Sequence, residues 1–221
     1  MKLGQKVIFG FLILLLSPIV LWNNFNIYSD IKDSHHDFSG ASWTSNEVCT
    51  LCHAPHNIVE DVTPLWNHEL STISYNLYSS STINATIGQP TAQSKLCLSC
   101  HDGTVAIDNI GGNSEGTRFI KPFGKISADL KLHHPISFTY NSNLALTDGQ
   151  LADPSTEPSG LGGTIEEDLL ANGEMQCTSC HDVHVSRNTQ GCRGCHSKNK
   201  QSLSIWKPNT NSALCLTCHI K

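Results

Sequence analysis

The most informative pattern in the sequence is the pentapeptide Cys-x-x-Cys-His, which occurs five times. The copies use all ten cysteines and cover residues 49–53, 97–101, 177–181, 192–196 and 215–219. Two thiols spaced in this way and followed at once by an imidazole form the attachment motif of c-type haem. The thiols add to the haem vinyl groups as thioethers, and the histidine is placed to bind the iron. The sequence therefore predicts five covalently attached haems.

The motifs assign fifteen residues directly. The predicted thioether residues are Cys49, Cys52, Cys97, Cys100, Cys177, Cys180, Cys192, Cys195, Cys215 and Cys218. The predicted proximal iron ligands are His53, His101, His181, His196 and His219. Paired Cys-x-x-Cys units can also form four-cysteine zinc sites. An odd number of pairs, each followed by histidine, argues against zinc sites and equally against disulfides.

Seven of the twelve histidines lie outside the motifs and could supply the second axial ligand of each iron. They are His35, His36, His56, His68, His133, His134 and His184. Neighbouring residues rarely reach the same iron, so one from each adjacent pair leaves five ligands for five irons. The predicted distal set is His36, His56, His68, His134 and His184. The choices of His36 over His35 and of His134 over His133 remain open.

Methionine is nearly excluded as an axial ligand. The chain has only Met1 and Met175, and Met1 would be lost with a cleaved signal peptide. Bis-histidine ligation lacks the methionine that raises haem potential. We therefore expect low-potential, low-spin haems without an open coordination site, which favours an electron-transfer protein over an enzyme.

The composition predicts an unusual fold class. Only 38% of residues are hydrophobic and 7% are aromatic, which is little material for an ordinary core. We expect a mostly irregular chain, with short helices and few strands, wrapped around a chain of stacked haems. A short helix is predicted at residues 164–170, with a threonine cap and an acidic first turn. The net charge of −5 and the lack of a basic patch argue against nucleic-acid binding.

Residues 1–29 are predicted to be a signal peptide or an N-terminal anchor. Lys2 and Lys6 precede an apolar run over residues 7–22, as in an export signal. The cleavage site is poor, so both alternatives stay open. In either case the rest of the chain is expected to be exported to the periplasm, the outer cell surface or the extracellular space. Membrane attachment is expected only if this segment is uncleaved.

The remaining chain is predicted to contain two haem modules. Residues 30–146 carry two motifs, residues 147–163 form a linker rich in proline and glycine, and residues 164–221 carry three motifs. The modules are related by an internal repeat. Residues 48–56 resemble 176–184, and residues 96–101 resemble 214–219, with the motif at 192–196 inserted in the second copy.

From about residue 35 to its end the chain resembles the multihaem cytochromes c with doubled Cys-x-x-Cys-His motifs. The phrases that carry the resemblance are His36-Asp37-Phe38-Ser39, Cys52-His53-Ala54-Pro55-His56-Asn57, Pro64-Leu65-Trp66-Asn67-His68, Leu96-Cys97-Leu98-Ser99-Cys100-His101-Asp102-Gly103-Thr104, His134-Pro135-Ile136-Ser137-Phe138 and Cys177-Thr178-Ser179-Cys180-His181-Asp182. This broad class includes outer-surface cytochromes of metal-reducing bacteria. Some of these, the nanowire-type or OmcE-like cytochromes, polymerise into extracellular haem filaments.

The resemblance implies electron transfer to redox partner proteins or extracellular acceptors. It also implies possible self-association into a filament in which a haem ligand is shared between subunits, a role that would suit an N-terminal His35 or His36. The extra motif at 192–196 departs from the OmcE-like type, which has four haems. Two alternatives are a membrane-anchored quinol dehydrogenase subunit and a multihaem reductase with an open catalytic haem. The reductases use a lysine-bearing motif, and no Cys-x-x-Cys-Lys occurs here.

Overall fold

The computed structural model describes residues 31–32, 34–54, 65–184 and 209–220. The predicted N-terminal signal or anchor, His56, and the motif with Cys192, Cys195 and His196 lie outside these residues. In the described part, most of the chain is irregular, and the helices and strands are short. No helix there is both long enough and apolar enough to cross a bilayer.

Four α-helices and one small sheet are found in the described ranges. The helices are α1 (Ala92–His101), α2 (Ser142–Asp148), α3 (Ile165–Leu169) and α4 (Cys215–Cys218). Single turns of 3-10 helix lie at Pro122–Gly124, Cys177–Ser179 and Thr210–Ser212. Strands β1 (Phe138–Thr139) and β2 (Glu174–Met175) pair antiparallel, with Phe138 opposite Met175.

Helix α1 is the longest described helix, and it ends in the second motif. Its buried Leu98 packs with Tyr75 and Leu130 in a small apolar cluster. The helix ends at Asp102, whose buried carboxylate accepts hydrogen bonds from the Tyr75 hydroxyl at 2.7 Å and the Thr104 amide at 2.7 Å. This apolar cluster and the Asp102 carboxylate together fix the position of the two cysteines and the histidine at the end of α1.

The predicted helix at 164–170 is present as α3. The Thr164 side chain accepts from the Glu167 amide, and the Glu167 side chain accepts from the Thr164 amide, so both halves of a capping box are formed. Ile165 and Leu169 lie on its buried face, with exposed fractions of 0% and 5%.

The larger apolar core lies where the sheet, α2 and α3 meet. Its buried members are Phe138, Tyr140, Ala145, Ala152, Ile165, Leu169 and Met175. The Tyr140 hydroxyl donates to the Ala152 carbonyl at 2.6 Å, and the Ala152 amide donates to the Cys218 carbonyl at 2.9 Å. The segment predicted as a linker, 147–163, therefore packs into this core and pairs with the fifth motif.

We expect Ile165→Ala to destabilise the holoprotein by about 2–5 kcal/mol, because it removes a fully buried side chain and leaves a cavity. Denaturant unfolding followed by Soret circular dichroism would measure the change. The control is Leu146→Ala in α2, because Leu146 is 84% exposed and its truncation is expected to change stability by less than about 0.5 kcal/mol. Equal effects of the two substitutions would contradict this description of the core.

Candidate haem sites

Each described motif folds as one helical turn. The histidine amide donates to the carbonyl of the first cysteine in three of them, from His53 to Cys49 at 2.8 Å, from His181 to Cys177 at 3.0 Å and from His219 to Cys215 at 3.0 Å. The second motif forms the last turn of α1. Residues three apart on a helical turn share a face. Both thiols of a motif therefore project to the same side, as attachment to one porphyrin requires.

Three pairs of histidine rings lie close together in the part of the chain that the structure describes. The ring centroids are 6.0 Å apart for His36 and His101, 6.2 Å for His53 and His184, and 6.3 Å for His134 and His219, with interplanar angles of 48°, 23° and 75°. In every pair, one ring belongs to a motif and the other to the predicted distal set. The partners are far apart in the sequence, so the fold brings them together.

The spacing of these rings is that of two ligands on one metal ion. With a metal–nitrogen bond of about 2.0 Å and a ring centre about 1.1 Å beyond the nitrogen, opposed imidazoles have centroids about 6.2 Å apart. Aromatic pairs without a metal also fall between about 4.5 and 7 Å. The identity of the partners therefore matters as much as the distance, and all three pairs match a motif histidine with a predicted distal one.

Hydrogen bonds at Nδ1 orient three of these imidazoles. Nδ1 of His101 lies 2.7 Å from the Gly124 carbonyl, Nδ1 of His134 lies 2.8 Å from the Pro135 carbonyl, and Nδ1 of His184 lies 2.9 Å from an Asp182 carboxylate oxygen. A neutral imidazole that donates from Nδ1 keeps the lone pair of Nε2 for a metal. The three side chains are thus held in the tautomer that can bind iron.

The pKa of His36 is lowered to about 4. Burial is the main cause, and the neighbouring imidazoles of His101, His35, His181 and His184 add to it. His36 is consequently neutral at pH 7, which is the form that ligates a metal. The same neighbours show that residues of the second and third motifs lie together around His36.

Asp182 acts on the imidazole of His184. Its hydrogen bond raises the pKa of His184, while burial of the ring works in the opposite direction. Burial also opposes ionisation of Asp182, but the hydrogen bonds from His184 overcome it and lower the pKa of this carboxyl. A carboxylate that accepts from Nδ1–H makes the opposite nitrogen a stronger electron donor. The pair is therefore suited to hold iron in its ferric state.

The sequence leaves open which histidine of each adjacent pair is the candidate ligand, and the structure places the two members of each pair differently. His35 is exposed, and its ring lies 6.0 Å from that of Phe123. His133 and His134 are both exposed, and the His133 amide donates to the Leu130 carbonyl at 3.1 Å. The residue that lies beside a motif histidine is His36 in the first adjacent pair and His134 in the second.

His68 is placed differently from the other predicted distal ligands. It is 1% exposed, with Nδ1 2.8 Å from the Glu69 carbonyl and Nε2 2.9 Å from the Ala106 carbonyl. Nε2 also lies 3.4 Å from Sγ of Cys100. His68 would have to exchange one of these carbonyl contacts for iron in order to act as a ligand.

The second and third motifs meet through a buried polar network that the sequence did not reveal. The neighbouring Cys177 thiol raises the pKa of Cys97, and the Cys97 thiol lowers the pKa of Cys177. The Cys177 amide donates to Ser94 Oγ at 2.9 Å, and the Ser94 amide donates to Gln176 Oε1 at 3.2 Å. Both Ser94 and Gln176 are almost fully buried. The network fixes the first cysteines of two motifs side by side.

The free thiols differ in acidity across this cluster. Burial raises the pKa of Cys52 to about 11 and that of Cys100 to about 12. The neighbouring Cys97 thiol lowers the pKa of Cys177 to about 7.

Two buried polar atoms without a hydrogen-bond partner bear on whether these sites could hold a haem. Among the side chains of the described residues, only Trp66 Nε1 and Gln93 Oε1 are buried without a hydrogen-bond partner. Trp66 pairs with His53 in a β-bridge, and Gln93 lies one helical turn before Cys97. No group of three or more His, Cys, Asp or Glu side chains in the described ranges could hold a bare metal ion. Paired imidazoles, adjacent thiols and orphaned polar atoms together suit a large planar cofactor with polar substituents.

Comparison with known proteins gives no further assignment. No protein-family model matches the chain, and no curated protein matches it.

We expect Ser94→Ala to destabilise the holoprotein by about 1–3 kcal/mol, because it leaves the buried Cys177 amide without its acceptor. Ser142→Ala is the control, since the Ser142 hydroxyl bonds Asp153 at an exposed position and should contribute little. Thermal unfolding monitored in the Soret region would compare them. A Ser94→Ala protein as stable as the Ser142→Ala protein would contradict the proposed importance of the network.

Proposed function

We propose that this protein is an exported pentahaem cytochrome c that carries electrons along closely spaced bis-histidine haems. The observation that supports this most strongly is the set of three imidazole pairs at 6.0–6.3 Å. Each pair matches a motif histidine with a distant histidine at the spacing that one iron requires. The resemblance to multihaem cytochromes c with doubled motifs agrees with this function.

The haems would supply the one-electron redox chemistry, and the chain would supply ligation, burial and local charge. Two imidazoles bound to each iron would leave no position for a substrate. The carbonyls of Gly124 and Pro135 and the carboxylate of Asp182 hold the ligand rings in place. These features suit a carrier whose ligation does not change between oxidation states.

The ligand groups of three motifs are close to one another. His36 lies near His101 of the second motif, His181 of the third motif and His184. His184 in turn lies beside His53 of the first motif. The Cys177 amide donates to Ser94 Oγ, one helical turn before Cys97. A carrier needs such proximity because electronic coupling falls steeply with distance between redox centres.

The internal repeat extends the pairing to the third motif. His184 follows the third motif and faces His53 of the first motif. His56 occupies the equivalent position after the first motif, so the repeat assigns it to His181 in return. His56 lies outside the described residues, and this assignment rests on the sequence alone.

Filament formation is a narrower proposal. His36 faces His101 within the same chain, whereas the exposed ring of His35 contacts Phe123. We therefore assign any ligand shared between subunits to His35. Negative-stain microscopy of secreted material tests this: filaments that persist in His35→Ala would contradict the assignment.

The decisive experiment for the function is to count haems and determine iron spin states in the purified protein. The pyridine haemochrome assay, together with intact mass, should give five haems per chain. Electron paramagnetic resonance of the oxidised protein should show low-spin ferric iron throughout. A protein without attached haem would contradict the cytochrome assignment. A high-spin ferric haem that binds nitrite or another small substrate would favour the reductase alternative.

We expect His36→Ala to convert one haem to the high-spin form, because the iron bound by His101 would lose its second imidazole. Exogenous imidazole should restore the low-spin spectrum by occupying the vacated position. His35→Ala is the matched control, since it removes the adjacent histidine, and it should leave every haem of the monomer low-spin. The assignment of His36 fails if His35→Ala produces the high-spin signal and His36→Ala does not.

We expect the haem-free chain to lack a cooperative fold, because ligation brings together residues that are distant in the sequence. The pairs His53–His184 and His134–His219 both join residues on opposite sides of the segment 147–163. Circular dichroism and thermal scans of protein made in the cytoplasm without its first 29 residues would measure this. A haem-free chain with a sharp unfolding transition like that of the holoprotein would contradict it.

A further inference from the structure

Trp66 lies beside the first motif through direct backbone pairing. The Ala54 amide donates to the Leu65 carbonyl at 2.8 Å, and the Asn67 amide donates to the Cys52 carbonyl at 3.0 Å. Trp66 is the antiparallel bridge partner of His53. Residues directly opposite in an antiparallel pair project from the same face. The indole of Trp66 therefore lies next to the imidazole that faces His184 at 6.2 Å.

The indole N–H of Trp66 has no acceptor in this position. Nε1 is buried from solvent and is without a hydrogen-bond partner. An indole nitrogen can only donate, and buried tryptophans usually place this group against an oxygen. Such an orphaned donor in a native structure calls for an unseen partner.

The nearest polar ring cannot serve as that partner. His68 lies edge-on to Trp66 at 6.4 Å, but its two nitrogens face the carbonyls of Glu69 and Ala106. The amide of Asn67 is also engaged, since its nitrogen donates to the Thr50 carbonyl and its oxygen accepts from the Gly111 amide. The side chains of His68 and Asn67 are thus both paired with other groups.

We propose that Trp66 is a haem-positioning residue that donates its Nε1–H to a carboxylate of the haem attached at the first motif. This inference rests on the proposed function. The haem carries two carboxylates. Because its ring nitrogens would be bound to iron, these carboxylates are its only groups that can accept a hydrogen bond. A donor to an ionised carboxylate forms a short, charge-assisted bond. This bond would fix the orientation of the macrocycle against His53 and offset negative charge near the iron.

The bond has a predictable electrochemical effect. Removing the donor leaves more negative charge on the carboxylate, which stabilises ferric over ferrous iron. One of the five midpoint potentials should therefore fall in Trp66→Phe, while the other four stay close to their wild-type values. The axial ligands His53 and His184 are untouched, so the low-spin spectrum should be retained.

The experiment compares holoprotein variants by spectroelectrochemistry and by ultraviolet resonance Raman spectroscopy. The indole N–H band that disappears in Trp66→Phe should have the frequency of a strongly hydrogen-bonded indole. Trp43→Phe is the matched control, because Trp43 contacts Phe38 and Arg118 and its loss should leave the potential of the first-motif haem unchanged. A second variant replaces Trp66 by benzothienylalanine, which keeps the shape of the side chain and lacks only the N–H group.

The outcomes separate this inference from the proposed function. A lowered potential in both Trp66 variants, together with a hydrogen-bonded indole band in the wild type, supports the assignment. Wild-type potentials in the benzothienylalanine variant, or a Trp66 band typical of a free N–H group, overturn it while leaving the cytochrome assignment intact. A wild-type protein with no attached haem would overturn the proposed function and this inference together.

Discussion

Three pairs of imidazoles in the described residues lie at the distance that two ligands of one iron would require. His36 with His101, His53 with His184, and His134 with His219 are each brought together from distant parts of the sequence. The apolar core is small and lies around the sheet and α3. In a chain with so little apolar material, cofactor ligation would supply long-range contacts that other proteins of this size obtain from side-chain packing.

The pairing has a consequence for how the chain is organised. The sequence repeat suggests two modules that each hold their own haems. In the structure, two of the three imidazole pairs join residues on opposite sides of the segment 147–163, and this segment packs against the fifth motif through Ala152 and Cys218. The hydrogen bond from the Cys177 amide to Ser94 Oγ also crosses that boundary. The described contacts therefore join the two predicted modules.

The candidate haem-site residues could be singled out from the sequence because ligation chemistry is local and stoichiometric. Each of the four described Cys-x-x-Cys-His motifs forms one helical turn, and counting histidines restricts the distal ligands. The capping box of Thr164 and Glu167 could be predicted for the same reason, since it depends on residues three apart. The sequence could not predict which distal histidine lies beside which motif, because that depends on the path of irregular segments. The roles of the Gly124 carbonyl, buried Ser94 and the orphaned N–H of Trp66 could not be predicted either, since each arises only from tertiary packing.

An experimental structure of the holoprotein with its irons located would test the central claim most directly. The account predicts one iron between His36 and His101, another between His53 and His184 and a third between His134 and His219, each about 2 Å from both ligating nitrogens. A structure in which the members of these pairs bind different irons, or in which the facing imidazoles enclose no iron, would contradict it.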